Sequence, residues 1–268
     1  MKLSDSLEVI GGLSAPSKMP CHSWSIPAEY CKLGSHLAKN PKSICSKCYA
    51  LKGAYKWSPA QRAMENRYAI LNDALEDYIH ISERGFFPST KAWSFINHFA
   101  SVLNQKAYRT RTRLANGTKV KRDGRYFRWF DSGDLQSEQH LDIIVRIAQL
   151  TPTVKHWLPT KEVGMVQRWL EMHKESYDAR IKSEYVRDYP ENLTIRISHP
   201  MVDDWEYSTE VVDRLKGYTE NIGLAFAHSP GRTPGSGIEA CAAPSQKGEC
   251  LSCRQCWNPK DQISYEVH

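Results

Sequence analysis

Eight cysteines are the residues of this chain best suited to chemistry, and they fall in two groups with none between Cys48 and Cys241. Cys21, Cys31, Cys45 and Cys48 read C-x9-C-x13-C-x2-C, and Cys241, Cys250, Cys253 and Cys256 read C-x8-C-x2-C-x2-C. Four thiolates are what a tetrahedral zinc or a cubane iron–sulfur cluster takes. The spacing therefore predicts a metal centre at each end of the chain, with one or two [4Fe–4S] clusters expected and zinc as the alternative. His22 and His36 stand among the first four cysteines and are able to replace a thiolate, with Cys21 as their natural competitor.

The compartment bears on that chemistry. The segment MKLSDSLEVIGGLSAPSK has a short apolar stretch broken by Gly11 and Gly12, without the long apolar centre of a secretory signal. A cytoplasmic location is expected (the host cytoplasm if the chain is phage-encoded), where disulfides are rare and CxxC pairs bind metal or do redox work. A thioredoxin-like site would need one CxxC and leave the other thiols idle. No apolar run approaches the roughly 20 residues of a membrane span, so no membrane partner is expected. A net charge of +6 permits nucleic-acid binding without demanding it.

The elements that must position these groups are set by periodicity. Residues 1–57 are rich in Pro, Gly, Ser and Cys and read as an irregular, metal-pinned segment; 231–268 is its Cys-rich counterpart, and 58–230 is the core of a single 1–268 domain. A helix is predicted from Pro59 to about Arg84, capped by Ser58, and another over Thr90–Leu103. Residues 107–125 predict a basic β-hairpin turning at Asn116-Gly117 and carrying Arg109, Arg111, Arg113, Lys119, Lys121 and Arg122. These six are either a solvated edge or a phosphate-contacting arm. Strands are then predicted at Tyr126–Phe130, Val154–Leu158, Leu193–Ser198 and Ile222–His228. Helices at Glu138–Leu150, Glu162–Lys174 and Thr209–Lys216 alternate with them. This is an α/β class of mainly parallel strands, a parallel sheet or partial (β/α) barrel.

Ligands in such folds collect at the carboxyl ends of the strands. There the chain has Asp131-Ser132-Gly133-Asp134, then Pro159-Thr160-Lys161-Glu162, then His199-Pro200, then His228-Ser229-Pro230. Ser132-Gly133 offers a tight turn and backbone N–H groups, while Asp131 and Asp134 offer carboxylates to an ammonium, a hydroxyl or a metal. Helix capping is the plainer role for the same residues, shared with Ser137. Lys161 and His199 are expected to face the same pocket.

The segments PCHSWSIPAEYC, ICSKCYALKGAY and FRWFDSGDLQSEQHLDIIVRIAQLTPTVKHWLPTKE, with the closing C-x8-C-x2-C-x2-CW, resemble the phage gene product 88 family across nearly the whole chain. The chain is more distantly similar to radical S-adenosylmethionine (SAM) enzymes, which hold a [4Fe–4S] cluster with three cysteines ending in CxxC and an aromatic. Cys45, Cys48 and Tyr49 match that ending, and Cys31 becomes the first ligand across thirteen residues rather than three. By the same resemblance Ser132, Gly133 and Asp134 stand where that superfamily holds the SAM amino group, and the second quartet becomes an auxiliary cluster. In that reading Cys21 must not close the first cluster.

Two classes of function compete with one another. The first is a radical-SAM-like iron–sulfur enzyme acting on a nucleotide or nucleic acid. The second is a nucleic-acid-binding protein whose two four-cysteine centres are structural zinc or iron–sulfur sites. A nuclease holding magnesium on Asp131 and Asp134 ranks below both, with only Glu162, Asp203 and Asp204 as further acidic ligands.

Overall fold

Alternation of apolar strands and amphipathic helices over residues 126–228 builds one parallel sheet in the computed structural model of the chain, which describes residues 1–81, 85–87, 90–178, 189–207 and 209–267. In chain order the elements are α1 (Leu3–Val9), β1 (His22–Trp24), α2 (Lys32–Leu37), α3 (Ser58–Glu76), β2 (Ile79–Ile81), β3 (Gly85–Phe87), α4 (Thr90–Ala115) and β4 (Tyr126–Trp129). They continue with α5 (Glu138–Leu150), β5 (Lys155–Thr160), α6 (Val163–Asp178), β6 (Leu193–Val202), α7 (Thr209–Lys216), β7 (Ile222–His228), β8 (Glu239–Ala240) and β9 (Ile263–Glu266). Among the described residues the main sheet has seven strands in the order β1-β4-β5-β6-β7-β9-β8, every pair parallel. The expected α/β class is what the chain adopts, as an open sheet rather than a closed barrel. A short antiparallel pair, β2–β3, stands apart.

Strand alternation divides the sheet into two unlike faces. Phe127, Trp129, Leu158, Ile195, Ile197, Leu224 and Phe226 join the main core with apolar residues of α3, α4, α5, α6 and α7. The opposite face presents Arg128, Trp157, Thr194 and Arg196. The C-terminal segment covers it: Trp257 donates from its indole to the Phe127 carbonyl at 2.9 Å and accepts Thr194 Oγ1 on its own carbonyl at 3.0 Å.

The predicted basic hairpin at 107–125 does not form: residues 107–115 are the end of α4 and 116–125 are a loop leading to β4. α4 continues past Leu103 because Ala107 and Thr110 extend its buried stripe, and the Arg/Thr alternation simply sits on the last turns. Asn116-Gly117 is a helix stop. Gly117 adopts φ +71°, Thr118 N–H bonds to the Arg113 carbonyl at 2.8 Å, and Gly117 N–H bonds to that of Leu114 at 3.0 Å. That pair of bonds is the Schellman closure of a helix C-terminus. α3 likewise ends at Glu76, not near Arg84, and begins at Ser58 with Trp57 before it and no side-chain cap. Ile79, read as helical, lies in β2; residues 82–84 and most of the linker after α6 lie outside the described residues. β6 runs on to Val202 through an irregularity after Ser198.

Candidate functional site

The carboxyl end of β4 is built around a reversal that only certain residues permit. Phe130 takes φ +55° and Gly133 φ +84°. A Cβ on Gly133 would stand 2.4 Å from Ile26 Cγ1 and 2.9 Å from the Ile26 carbonyl oxygen, so the turn closes directly on the segment after β1. Asp131 is the anchor of that contact. Its carboxylate accepts the hydroxyls of Ser23 and Ser25, and Tyr55 donates to Oδ2 at 3.0 Å. Asp134 is buried too, accepting Leu135 N–H at 2.8 Å, Thr160 Oγ1 at 2.6 Å and Lys161 N–H at 3.0 Å. Burial raises its pKa above the usual carboxylate value, although those three donors and the Lys161 charge pull it back. Both carboxylates, expected to be catalytic, are thus occupied by internal donors that join the ends of β4, β5 and the post-β1 segment. Ser132 differs: its hydroxyl is buried and has no hydrogen-bond partner.

Three cysteines gather beside this turn. Cys31 precedes α2, Cys45 lies in a short 3-10 turn (Ile44–Lys47) capped by Ser43, whose hydroxyl accepts Cys45 N–H at 3.2 Å, and Cys48 follows that turn. A Cβ on Gly34 would meet the Cys31 sulfur at 3.7 Å and the Cys45 sulfur at 3.8 Å, so both sulfurs flank one small space that glycine leaves open. Cys48 acts electrostatically on both. Burial pushes the Cys31 and Cys45 thiols up, and the Lys161 ammonium acts in the opposite sense on each.

Neighbouring elements pin these loops to the strand ends. Glu162 Oε1 accepts Leu33 N–H at 2.8 Å, and burial raises its carboxyl pKa. Ser43 Oγ donates to the Pro200 carbonyl at 2.9 Å, and Val202 N–H to that of Lys42 at 3.0 Å, so the far end of β6 holds the Cys45 loop. Tyr49 donates to the Asp131 carbonyl at 2.7 Å, which places Cys48 against the turn.

Cys21 does not join this triad. It precedes β1 at the other end of the strand, fully buried, in a cluster with Trp157, Cys256, Trp257 and Ile263. Its neighbouring thiols are Cys250 and Cys256, and burial raises its pKa to about 12. Cys241 and Cys250 interact with each other and with both Cys253 and Cys256. None of the eight is in a disulfide. Among the described residues no group of three or more Cys, His, Asp or Glu side chains is drawn together tightly enough to hold a metal ion as it stands.

The remaining expected residues scatter. His199 is buried between Tyr207 and Phe226, its Nε2 4.0 Å from Asp204. His22 bonds the Ser14 carbonyl at 3.3 Å, and His228 pairs with Ser264 Oγ at 2.7 Å. Ser137, not an aspartate, caps α5 by accepting His140 N–H at 3.2 Å. Arg111 and Arg122 donate to backbone carbonyls of Thr153 and of Ala15 and Pro16, whereas Arg109, Arg113, Lys119 and Lys121 are exposed, without an ion-pair partner among the described residues. Sequence reading missed Arg128, Ser25 and Tyr55. Only Arg128 carried a signal, as a charge inside an aromatic strand.

Comparison with known families adds one finding: the model described as Gene product 88 matches residues 4–259. No curated protein and no solved structure matches the chain. Among the described residues no helix is long and apolar enough to cross a membrane.

Proposed function

The chain belongs to the Gene product 88 family, and on that footing we propose that it is an iron–sulfur enzyme of the radical-SAM kind, acting on a nucleotide or nucleic acid. One observation carries the reading. Cys31, Cys45 and Cys48 gather at the carboxyl end of the sheet beside Asp131–Asp134, while Cys21 lies elsewhere. Three thiolates leave one iron of a cubane without a protein ligand, which is the condition for chelating a second molecule.

Three thiols are the ligand type such a group takes, although as they stand they are not drawn together as a metal site. Cys31, Cys45 and Cys48 would hold the cluster, and the Lys161 ammonium offsets part of the negative charge of their thiolates. A [4Fe–4S] cluster bound there would supply the electron for reductive cleavage of SAM. The chain's own residues contribute position. Ser132 offers its unpartnered hydroxyl to a polar ligand, and Gly133 lets the backbone approach closely. Asp131 and Asp134 hold the turn in shape, and Tyr49, next to Cys48, ties its loop to the Asp131 carbonyl. Magnesium-dependent hydrolysis on Asp131 and Asp134 is disfavoured, because their oxygens already accept protein donors. The nucleotide or nucleic-acid substrate rests on the net charge of +6 and on the exposed Arg109, Arg113, Lys119 and Lys121.

Anaerobic reconstitution with iron and sulfide, followed by dithionite and SAM, should release 5′-deoxyadenosine, and Cys45→Ala should abolish it. A fully reconstituted protein that neither binds nor cleaves SAM overturns the reading. Zinc without iron or sulfide in the purified protein would favour structural centres in a nucleic-acid-binding protein instead.

A further inference from the structure

Residues 18–21 lie along the C-terminal cysteine loop. Cys250 N–H donates to the Lys18 carbonyl at 3.1 Å, and the Met19 sulfur stands 3.8 Å from that of Cys250. Cys21 and Cys256 are packed together in one small buried cluster, and Cys241 rests against it. Cys253 also acts on Cys241 and Cys250, but its thiol donates to Gln255 Oε1 at 3.4 Å.

A buried thiol is by default a small apolar side chain. The charges around this one argue for more. Arg128 and Arg254 act on both Cys21 and Cys250, and Arg196 acts on Cys256. None of the three forms an ion pair among the described residues, although the Asp131 carboxylate acts on Arg128 from beyond ion-pair distance. Arg196, with no exposed surface, donates only to the backbone carbonyls of Leu224, Gln255, Cys256, Asn258 and Asp261. The Nε atoms of Arg128 and Arg196 are buried with no acceptor at all. Guanidiniums in such a setting beside neutral thiols are costly, because a buried charge needs an opposite one. A centre ligated by four thiolates supplies that negative charge.

We propose that metal binding draws Cys21, Cys241, Cys250 and Cys256, which are not yet a closed ligand cage, into one thiophilic centre, zinc or an iron–sulfur cluster, with Cys21 in the place that sequence spacing assigns to Cys253. The centre ties the strand that opens the sheet to the segment that closes it. It is independent of whatever the Cys31, Cys45 and Cys48 triad does.

The test uses the full chain with all three triad cysteines changed to alanine, so that only these five thiols remain. Metal content is measured after anaerobic loading with zinc, or with iron and sulfide. One centre per chain is expected, retained at least about tenfold more weakly after Cys21→Ala and unchanged after Cys253→Ala. Equal retention in the Cys21→Ala chain overturns the proposal, as does failure of the triad-free chain to bind either metal. Loss with Cys253→Ala alone returns the site to the C-terminal quartet. Should the variants not fold, mild oxidation of the metal-stripped parent and peptide mapping decide. Links from Cys21 to Cys250 or Cys256 are expected, and links to Cys31, Cys45 or Cys48 overturn the proposal.

Discussion

Arg128 donates through Nη2 to the hydroxyl of Tyr49 at 3.2 Å. Tyr49 comes directly after Cys48, and the other terminal nitrogen of Arg128 faces the Met19 sulfur at 3.7 Å beside Cys250. One guanidinium, lying 4.6 Å over the Trp157 ring, therefore touches the supports of both cysteine groups.

Tyr49→Phe should reveal that link. The change removes a donor to the Asp131 carbonyl and an acceptor for Arg128 while keeping the ring. A loss of about 1 kcal/mol in denaturant unfolding is expected. Iron should leave a reconstituted triad faster than in the parent. Unchanged stability and iron retention would show that the Tyr49 hydroxyl supports nothing.

Gly133→Ala tests the turn. The added methyl meets both a side chain and a backbone oxygen of Ile26, in a conformation that favours glycine. A cost of about 2–3 kcal/mol is expected. Ile26→Ala in the same chain should relieve part of it, measured as a double-mutant cycle with less-than-additive loss.

Glu162 separates hydrogen bonding from charge. Glu162→Gln keeps an acceptor for Leu33 N–H and should leave folding stability and triad iron content nearly unchanged. Glu162→Ala removes the acceptor and should cost about 1–2 kcal/mol and loosen the Cys31 loop. Equal losses in both variants would assign the effect to charge.

Acid should unfold the protein through two buried histidines. His156 Nδ1 accepts the Trp129 indole N–H at 3.3 Å and His140 Nδ1 accepts Gln136 N–H at 3.3 Å, so both rings are held neutral. Burial lowers each pKa to about 3 from 6.5. Between these values the unfolded chain binds more protons than the folded one, so stability falls as pH falls from about 6.5 toward 3, by about 1 kcal/mol per pH unit for each histidine. Asp142 adds a loss at lower pH. Burial opposes its ionisation, but the His173 hydrogen bond and the Arg146 charge outweigh that and hold it at about 2, so its contribution is lost progressively as pH falls from about 4 to about 2. Unfolding midpoints from pH 7 to 4 should show the slope, and His156→Gln should flatten it.

If nucleic acid is the partner, the four exposed cations carry it. Changing Arg109, Arg113, Lys119 and Lys121 to alanine should reduce the slope of log affinity against log salt by about 3.6 for duplex DNA, if all four contact phosphates. Changing Arg111 and Arg122, which hold backbone carbonyls, should instead lower stability. An unchanged slope in the first variant would remove this surface from the interaction.

Much of the framework was legible before the structure because it is local. The α5, α7 and β7 spans match their periodic patterns residue for residue, and the Ser-Gly turn and the α5 cap announced themselves by composition. β1, β8 and β9 were not legible, since strands of three, two and four residues carry no measurable period and exist only through their partners. The basic hairpin failed for a related reason. Arg/Thr alternation suits a strand, but Ala107 and Thr110 extend a buried helical stripe, and tertiary packing outweighs local pattern.

The eight thiols divide along the same line. Sequence alone determined that two cysteine-rich ends flank an α/β core, because residue type and near spacing are properties of the chain. Only the tertiary structure decided which thiols meet. Cys21 is ten residues from Cys31, yet the β1–β4 pairing sets it at the opposite end of the strand from the triad, against a loop more than two hundred residues away. A strand carries the residues at its two ends to opposite edges of the sheet, and no spacing rule in one dimension contains that fact.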